Sequence, residues 1–204
     1  LLALAKQKEI RKRLLIDGKE QSKLRKLYQS FDLNAAKEIK EIEKKINHDV
    51  KAIEYYIQDK TRSSLHPWIH FALTSEDVNN ISYSLMWKHA LEKVYLPSAS
   101  SLQRKLLDLV REHRKSPMLS LTHGQPATPT TFGKEIRVFY NRIERQIVKL
   151  KKGALLAKMS GATGTWSAHN IAFASVDWFK FTSKFVASLG LKPNLVTTQI
   201  EPHD

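Results

Sequence analysis

Apolar residues recur at spacings of three and four along much of the chain, which is the period of an α-helix. A short stripe of this kind comprises Ile46, Val50, Ile53 and Ile57. A longer seam between residues 132 and 154 keeps the same alternation over three heptads, which predicts a long helix in a bundle or coiled coil. No convincing alternation of apolar and polar residues indicates a strand. The pattern therefore predicts an all-α fold.

Local start and stop signals divide this pattern into separate helices. Residues 1–15 are apolar and basic without a breaker, which predicts one helix. Asn34 is expected to cap the next helix, and Pro67 to occupy the first position of another. Thr74 precedes acidic residues, as in a capping box or a variant of one. A last helix, over about residues 176–189, is expected to close at Gly190.

The helices group into two predicted domains. Residues 1–65 are interpreted as a small N-terminal helical domain, incomplete at its start. Residues 66–204 are interpreted as the first part of an elongated helical bundle, incomplete at its end. The chain begins with Leu1 instead of Met, and we expect it to be truncated at both ends. The long apolar seam exceeds what one helix pair needs, so assembly with other subunits is expected.

Composition narrows the class of protein. The 204 residues are 42% hydrophobic and 26% charged, which is ordinary for a folded domain. The sequence has no run of some 18 apolar residues, so no membrane-spanning helix is expected. The absence of cysteine excludes disulfides and thiolate chemistry and fits a cytoplasmic location. The formal net charge of +14 fits a polyanionic partner, an anionic small substrate or simply a basic protein. The basic residues are spread along helical segments and do not form one block.

The segment from residue 120 to 129, SLTHGQPATP, carries the main candidate for chemistry. Gly124 allows unusual backbone angles, and Pro126 and Pro129 fix φ nearby and remove two N–H donors. We interpret the segment as a stiff, irregular loop that holds His123 in one place. An imidazole that titrates near neutral pH and is held in this way suits a general acid or base. A histidine in a loop is, however, often only a hydrogen-bonded surface residue.

Other polar positions have structural as well as functional interpretations. His48 lies between two ordinary capping residues, and Thr74 and Ser75 could act only as caps. Free N–H groups at a helix start also attract carboxylates. The residues His66 and His70 have a metal-compatible spacing, but no third ligand completes a site, so no metal is expected. Residues 160–164, SGATG, could cradle an anion, although a helix-ending turn is favoured because a P-loop ending is missing.

Four segments in order carry a resemblance to a known family. They are NHDVKA at residues 47–52, TSEDVNN at 74–80, THGQPATP at 122–129 and TTQIEPHD at 197–204. Together they resemble the adenylosuccinate lyase family of the bacterial purine pathway, within the fumarase/aspartase superfamily. The resemblance covers nearly the whole chain from residue 47 onward. It implies a small helical domain followed by a long helical bundle.

The resemblance implies a reaction and an assembly. Family members eliminate fumarate from adenylosuccinate to give AMP, and cleave the succinylated aminoimidazole carboxamide ribotide in parallel. Neither reaction needs a metal or cofactor. Members of the family work as homotetramers and build each site from several subunits, so the implied partners are small-molecule substrates and other copies of the chain, with no nucleic acid and no membrane.

The resemblance also implies residue roles. His123 matches the general acid that protonates the leaving nitrogen. The nucleotide-contacting residues correspond to Asn47, His48 and Asp49, with His48 near the phosphate, and the ligands of the succinyl part correspond to Thr74 and Ser75. Gln199 matches a contact to a substrate amide. Supporting or carboxylate-binding roles are implied for Lys51, Gln125 and Thr128.

Two parts of the family pattern have no match in residues 1–204. One is an N-terminal Arg-Tyr element that contacts the nucleotide. The other is a later flexible loop that bears the serine assigned as general base, together with basic ligands. We therefore expect this chain alone to be inactive. Two alternatives stay open at this point: a basic helical module that binds nucleic acid or a partner helix, and a related lyase with another amino-succinyl substrate.

Overall fold

The computed structural model describes residues 1–203, so Asp204, the last residue of the fourth family-like segment, lies outside the described residues. The described chain forms two compact units. One comprises Leu1–Leu85 together with residues 155–203, and the other comprises Met86–Ala154. The domain boundary predicted near residue 65 stays a prediction for the whole protein. Each unit is described by itself.

Helices dominate the first unit. It contains α1 (Gly18–Gln29), α2 (Leu33–Ile46), α3 (Asp49–Asp59), most of α4 (Ser75–Ala90), α7 (Ser167–Ala172) and α8 (Trp178–Ser188). A short parallel pair, β3 (Leu156–Ala157) and β4 (Lys192–Pro193), connects the segments that flank the last two helices. Side-chain caps begin several helices; Asp17, for example, accepts the N–H of Glu20 at 2.8 Å. The all-α prediction is confirmed in its main part, and the few strands are short additions.

The prediction of one helix over residues 1–15 is wrong. Only Leu4–Lys6 is helical, as a 3₁₀ turn, and the rest of the segment forms separate turns. Ile10 and Leu14 are fully buried in the core of the unit. Tertiary burial of these two side chains outweighs the weak intrinsic preference of a short helix, whose stability in isolation is marginal.

Three other local predictions need correction. Asp32, not Asn34, caps α2, with its carboxylate accepting the N–H of Ala35 at 2.8 Å. The apolar stripe between residues 46 and 57 belongs to two helices, because Asn47 adopts a left-handed conformation (φ 56°) and ends α2. Pro67 lies inside the 3₁₀ helix Ser63–Trp68 and does not begin an α-helix.

The core of the first unit is built around aromatic side chains. Trp178, only 2% exposed, contacts Phe181 edge to face with ring centroids 5.5 Å apart. Phe71 also contacts Trp178, with ring centroids 6.4 Å apart. Leu65 and Val186 are buried in the same cluster. Helix α8 matches the predicted last helix, and Gly190 follows it with φ of 72°, as expected for a residue that ends a helix.

The second unit consists of long helices and a hairpin. A π-helical turn, Leu91–Tyr95, separates the end of α4 from α5 (Leu96–Glu112), and α6 (Phe132–Lys152) matches the predicted long helix. Gly133 lets the start of α6 approach the end of α5, since a Cβ there would lie 2.7 Å from the Val110 carbonyl oxygen. Several large apolar side chains of α6 are exposed, including Phe139 at 56%.

The segment around His123 forms an antiparallel hairpin, not the irregular loop that the sequence predicts. Strands β1 (Pro117–Thr122) and β2 (Gln125–Thr131) pair with a bulge between Leu119 and Leu121. A two-stranded sheet has only edge strands, and edge strands tolerate proline. The two prolines in β2 are therefore compatible with pairing.

Across residues 1–203, no helix is both long enough and apolar enough to cross a bilayer.

Candidate functional site

His123 occupies the turn of the hairpin in the second unit. Thr122 pairs with Gln125, which leaves His123 and Gly124 as the two central residues of the turn. Both have positive φ, 51° and 75°, as the tight turns favoured in hairpins require. The His123 side chain is exposed at the tip. Gln125 and Thr128 lie on β2 and are also exposed, so all three predicted residues are available to a ligand.

The predicted nucleotide-contacting residues lie at the junction of α2 and α3 in the first unit. Asn47 ends α2, and His48 caps α3 by accepting the Lys51 N–H at Nδ1, 3.3 Å away. The same Nδ1 also lies 3.3 Å from Asp49 Oδ1. The Asp49 carboxylate accepts the Val50 N–H at 2.7 Å. The side chains of Asn47, His48 and Asp49 are exposed.

Lys51 belongs to a row of three contacting side chains, Lys51, Glu54 and His70, that sequence reasoning missed. Its Nζ lies 2.7 Å from Glu54 Oε2, and Glu54 Oε1 lies 2.6 Å from His70 Nδ1. Glu54 is 6% exposed, so its carboxylate is held between Lys51 and His70 away from solvent. The hydrogen bond to Glu54 raises the pKa of the Lys51 ammonium. Lys51 is thereby kept cationic and oriented, which suits a group that binds a carboxylate or phosphate.

Thr74 and Ser75, the predicted succinyl ligands, lie at the start of α4 as expected. Both are half-buried. Thr74 donates its N–H to Asp77 Oδ2 at 3.0 Å, which completes one side of a capping box. Gln199, 125 positions further along the chain, donates Nε2–H to Thr74 Oγ1 at 3.5 Å. The fold therefore brings together two of the predicted ligand positions from distant segments.

Behind Thr74 lies a second feature that sequence reasoning missed, a buried ion pair. Lys158 Nζ is 3.0 Å from Asp77 Oδ1, and both side chains are fully shielded from solvent. Asp77 falls within the second family-like segment, but no role was assigned to it. The sequence offers one signal for Lys158: it lies between apolar residues, in the segment ALLAKMSG at residues 154–161.

Residues 160–164 do not form a helix-ending turn, because α6 ends at Lys152 and the segment follows β3. The Ser160 and Gly161 N–H groups donate to the Asp77 carboxylate, each at 3.0 Å. These donors therefore bind an internal anion and are not open to an external one. The segment holds a side chain of the protein, not a ligand.

The two histidines with metal-compatible spacing are engaged elsewhere. His66 Nε2 lies 3.3 Å from the Thr61 carbonyl oxygen, and His70 Nδ1 contacts Glu54. His70 has positive φ, so the two residues do not share a regular helix face. Within the described part of the chain, no group of three histidine, aspartate or glutamate side chains could hold a metal ion.

Solved structures share this fold. A fumarate lyase from Mesorhizobium sp. BNC1 superposes with a TM-score of 0.73 over 90% of this chain and 42% of its own length, at 19% identity. A beta-carboxy-cis,cis-muconate cycloisomerase from Acinetobacter calcoaceticus sp. ADP1 gives a TM-score of 0.69 over 96% of this chain and 44% of its own, at 18% identity. At these identities the likeness shows the fold alone.

Curated relatives are more similar in sequence. The adenylosuccinate lyase of Legionella pneumophila subsp. pneumophila strain Philadelphia 1 is 46% identical over 194 residues, 93% of this chain and 42% of the relative. That of Escherichia coli strain K12 is 48% identical over 180 residues, 86% of this chain and 40% of the relative. The chain thus spans about two fifths of the length of the curated relatives it matches. These matches confirm the resemblance inferred from the four segments.

A family-wide sequence model described as lyase matches residues 4–204. That match covers nearly the whole chain, and the segments that contain His48, Thr74, His123 and Gln199 all fall within it. This chain belongs to the lyase family.

Proposed function

We propose that the complete protein is an adenylosuccinate lyase of purine biosynthesis. It eliminates fumarate from adenylosuccinate to give AMP and cleaves the succinylated aminoimidazole carboxamide ribotide in the same way. The observation that carries the proposal is the 46% identity, over 93% of this chain, to a relative with that name. The contact between Thr74 and Gln199 supports it, because it joins two of the segments in which the family resemblance lies.

The elimination breaks a carbon–nitrogen bond. A base removes the proton from the carbon beside a carboxylate, donors stabilise the resulting dianion, and an acid protonates the nitrogen that leaves with the electron pair. His123 supplies the last proton, the role that the family resemblance implies for it, and its ring is exposed at the hairpin tip. The family resemblance assigns the base to a loop that has no match in residues 1–204. No step requires a metal or cofactor.

The remaining predicted residues bind the substrate. Asn47, His48 and Asp49 contact the nucleotide, with His48 near the phosphate. Thr74 and Ser75 hold a succinyl carboxylate at the start of α4, where N–H groups and the helix dipole favour negative charge. Gln199 binds a substrate amide. The Lys51 ammonium, with Gln125 and Thr128, adds contacts to carboxylate oxygens.

The enzyme is proposed to be a cytoplasmic homotetramer with sites shared between subunits. Exposed apolar side chains of the second unit support assembly, because Phe132, Phe139 and Leu150 on one face of α6 are 43%, 56% and 38% exposed. Such a row on a long helix suits packing against helices of other subunits.

The test uses the complete protein and follows the loss of adenylosuccinate by ultraviolet absorbance. Replacing the acid, His123→Gln, is expected to lower turnover at least about a hundredfold, the low end for general acid catalysis. His89→Gln is the matched control, since His89 is an exposed histidine of the same unit on α4. Near-native turnover of His123→Gln would refute the assigned role. A native protein that cleaves only a different amino-succinyl compound would refute the substrate.

A further inference from the structure

The Asp77 carboxylate is the centre of a buried polar network. Its Oδ2 accepts the N–H groups of Thr74 and Gly161, each at 3.0 Å. Its Oδ1 accepts the N–H of Ser160 and faces Lys158 Nζ, again at 3.0 Å each. Asp77 is 1% exposed. Both oxygens are therefore saturated with donors from two segments more than eighty residues apart in sequence.

Lys158 is held as completely as Asp77. It is fully buried, and its Nζ also donates to the Gly161 carbonyl oxygen at 2.9 Å. Its backbone N–H donates to Asn80 Oδ1 at 2.9 Å, and its carbonyl accepts from Asn80 Nδ2 at 3.1 Å. Removing two charges from water is costly, and a buried ion pair is weak evidence for stability. The more informative question is which geometry the pair fixes.

The network connects both sides of the candidate succinyl site. On one side, Asp77 holds the backbone of Thr74 at the start of α4. On the other, it holds Ser160, whose Oγ lies 3.3 Å from Thr197 Oγ1. Two residues after Thr197, Gln199 donates to Thr74 Oγ1. The contacts therefore form a closed circuit that leads from Thr74 through the buried carboxylate and back to Thr74.

We propose that Asp77, with Lys158 as its counter-ion, is a positioning residue for the succinyl side of the site. It sets the distance between the start of α4 and the segment that carries Gln199. This inference rests on the proposed function. It adds a role for two residues that contact no substrate themselves, since both are buried behind Thr74.

The experiment separates positioning from stability. In the complete protein, Asp77→Asn keeps the shape of the side chain but replaces one accepting oxygen by an NH2 group. The donors that face this oxygen then lose their acceptor. The substitution also leaves Lys158 buried without a counter-charge. The double variant Asp77→Asn/Lys158→Met removes that charge and is expected to recover thermal stability, because replacing both members of a buried pair is often neutral. Ser84→Ala is the matched control: Ser84 Oγ donates to the Leu156 carbonyl at 2.7 Å, between the same two elements but further along α4.

For the double variant we expect KM for adenylosuccinate and the inhibition constant of fumarate to rise together, about tenfold or more, as a displacement of about 1 Å in a site can cause. Turnover at saturation is expected to fall less. The inhibition constant of AMP, which lacks the succinyl part, is expected to stay near native, and all constants of Ser84→Ala likewise.

The outcomes are distinguishable. If the native protein does not cleave adenylosuccinate, the proposed function fails and this inference fails with it. If the native protein is active and the folded double variant binds fumarate as tightly as native, the network is only structural and this inference alone is overturned. An equal weakening of fumarate and AMP would also overturn it, because a general loss of structure affects both.

Discussion

A methyl group added at Gly164 tests the close approach between two segments of the candidate site. Gly164 is buried and has φ of 77°. A Cβ on Gly164 would overlap the Thr197 carbonyl oxygen and would lie 2.8 Å from Thr198 O. All of these neighbours are backbone atoms, so no flexible side chain can move aside. The substitution Gly164→Ala must displace the segment that carries Gln199.

The expected cost has two parts. A residue with a Cβ in the left-handed region costs about 1–2 kcal/mol. Forcing extra volume against packed atoms adds about 1–3 kcal/mol. We therefore expect Gly164→Ala to lower the free energy of unfolding by about 2–5 kcal/mol, the sum of the two. Gly124→Ala is the matched control, because Gly124 has φ of 75° and a methyl group added there would meet nothing within 4 Å. It should show the first part alone.

The assay is thermal and urea unfolding of the complete protein, with fumarate inhibition as a second readout. Gly164→Ala should unfold at a clearly lower temperature than Gly124→Ala and should bind fumarate more weakly, because the contact of Gln199 with Thr74 is lost. Equal destabilisation by the two substitutions would refute the argument from close approach. So would a Gly164→Ala protein with native stability.

Three further outcomes are expected. Glu54→Gln should destabilise the complete protein by about 1–3 kcal/mol in urea unfolding, since hydrogen bonds to a charged, buried carboxylate are lost, whereas Glu41→Gln, in an exposed pair with Lys44, should cause no measurable change. Burial lowers the pKa of His169, against a weaker opposing effect of Asp77. As pH falls through the ordinary histidine pKa of about 6.5, the folded protein therefore binds fewer protons than the unfolded one. The free energy of unfolding should then decrease, by at most about 1.4 kcal/mol per pH unit. Melting temperatures between about pH 7.5 and 5.5 should show a shallower slope for His169→Phe, and an unchanged slope would contradict this. The purified 204-residue chain should release no fumarate from adenylosuccinate, because the loop to which the family resemblance assigns the base has no match in it. Detectable release would refute this reasoning.

Long apolar periodicity predicts helices well in this chain. The seam from 132 to 154 corresponds to α6, and the capping signal at Thr74 corresponds to the start of α4. In these segments, local preference and tertiary packing favour the same structure. The stripe across residues 46–57 does not form one helix, because a single left-handed residue, Asn47, interrupts the helix without disturbing the spacing of apolar residues.

The missed residues of the site depend on partners that are distant in sequence. Asp77 and Lys158 are 81 positions apart, and neither belongs to a local pattern that requires the other. Glu54 lies in a helical pattern that fits a solvated face equally well, yet it is buried and contacts His70. Pairing of this kind becomes visible only when the fold places the two segments side by side.

Several non-glycine residues at or near the candidate site have a left-handed backbone conformation. Asn47, His70, Ala72 and His123 all have positive φ although none is glycine. Each such residue costs about 1–2 kcal/mol relative to an ordinary conformation, so surrounding contacts must hold it there. Asn47 immediately precedes His48, Ala72 lies two residues before Thr74, and His123 is itself the candidate acid. Strain of this kind concentrates where a side chain must be presented in one orientation. Local sequence preference alone does not predict it. The prediction of an irregular loop around His123 is therefore wrong, because strands β1 and β2 pair on both sides of a turn in which His123 and Gly124 have positive φ.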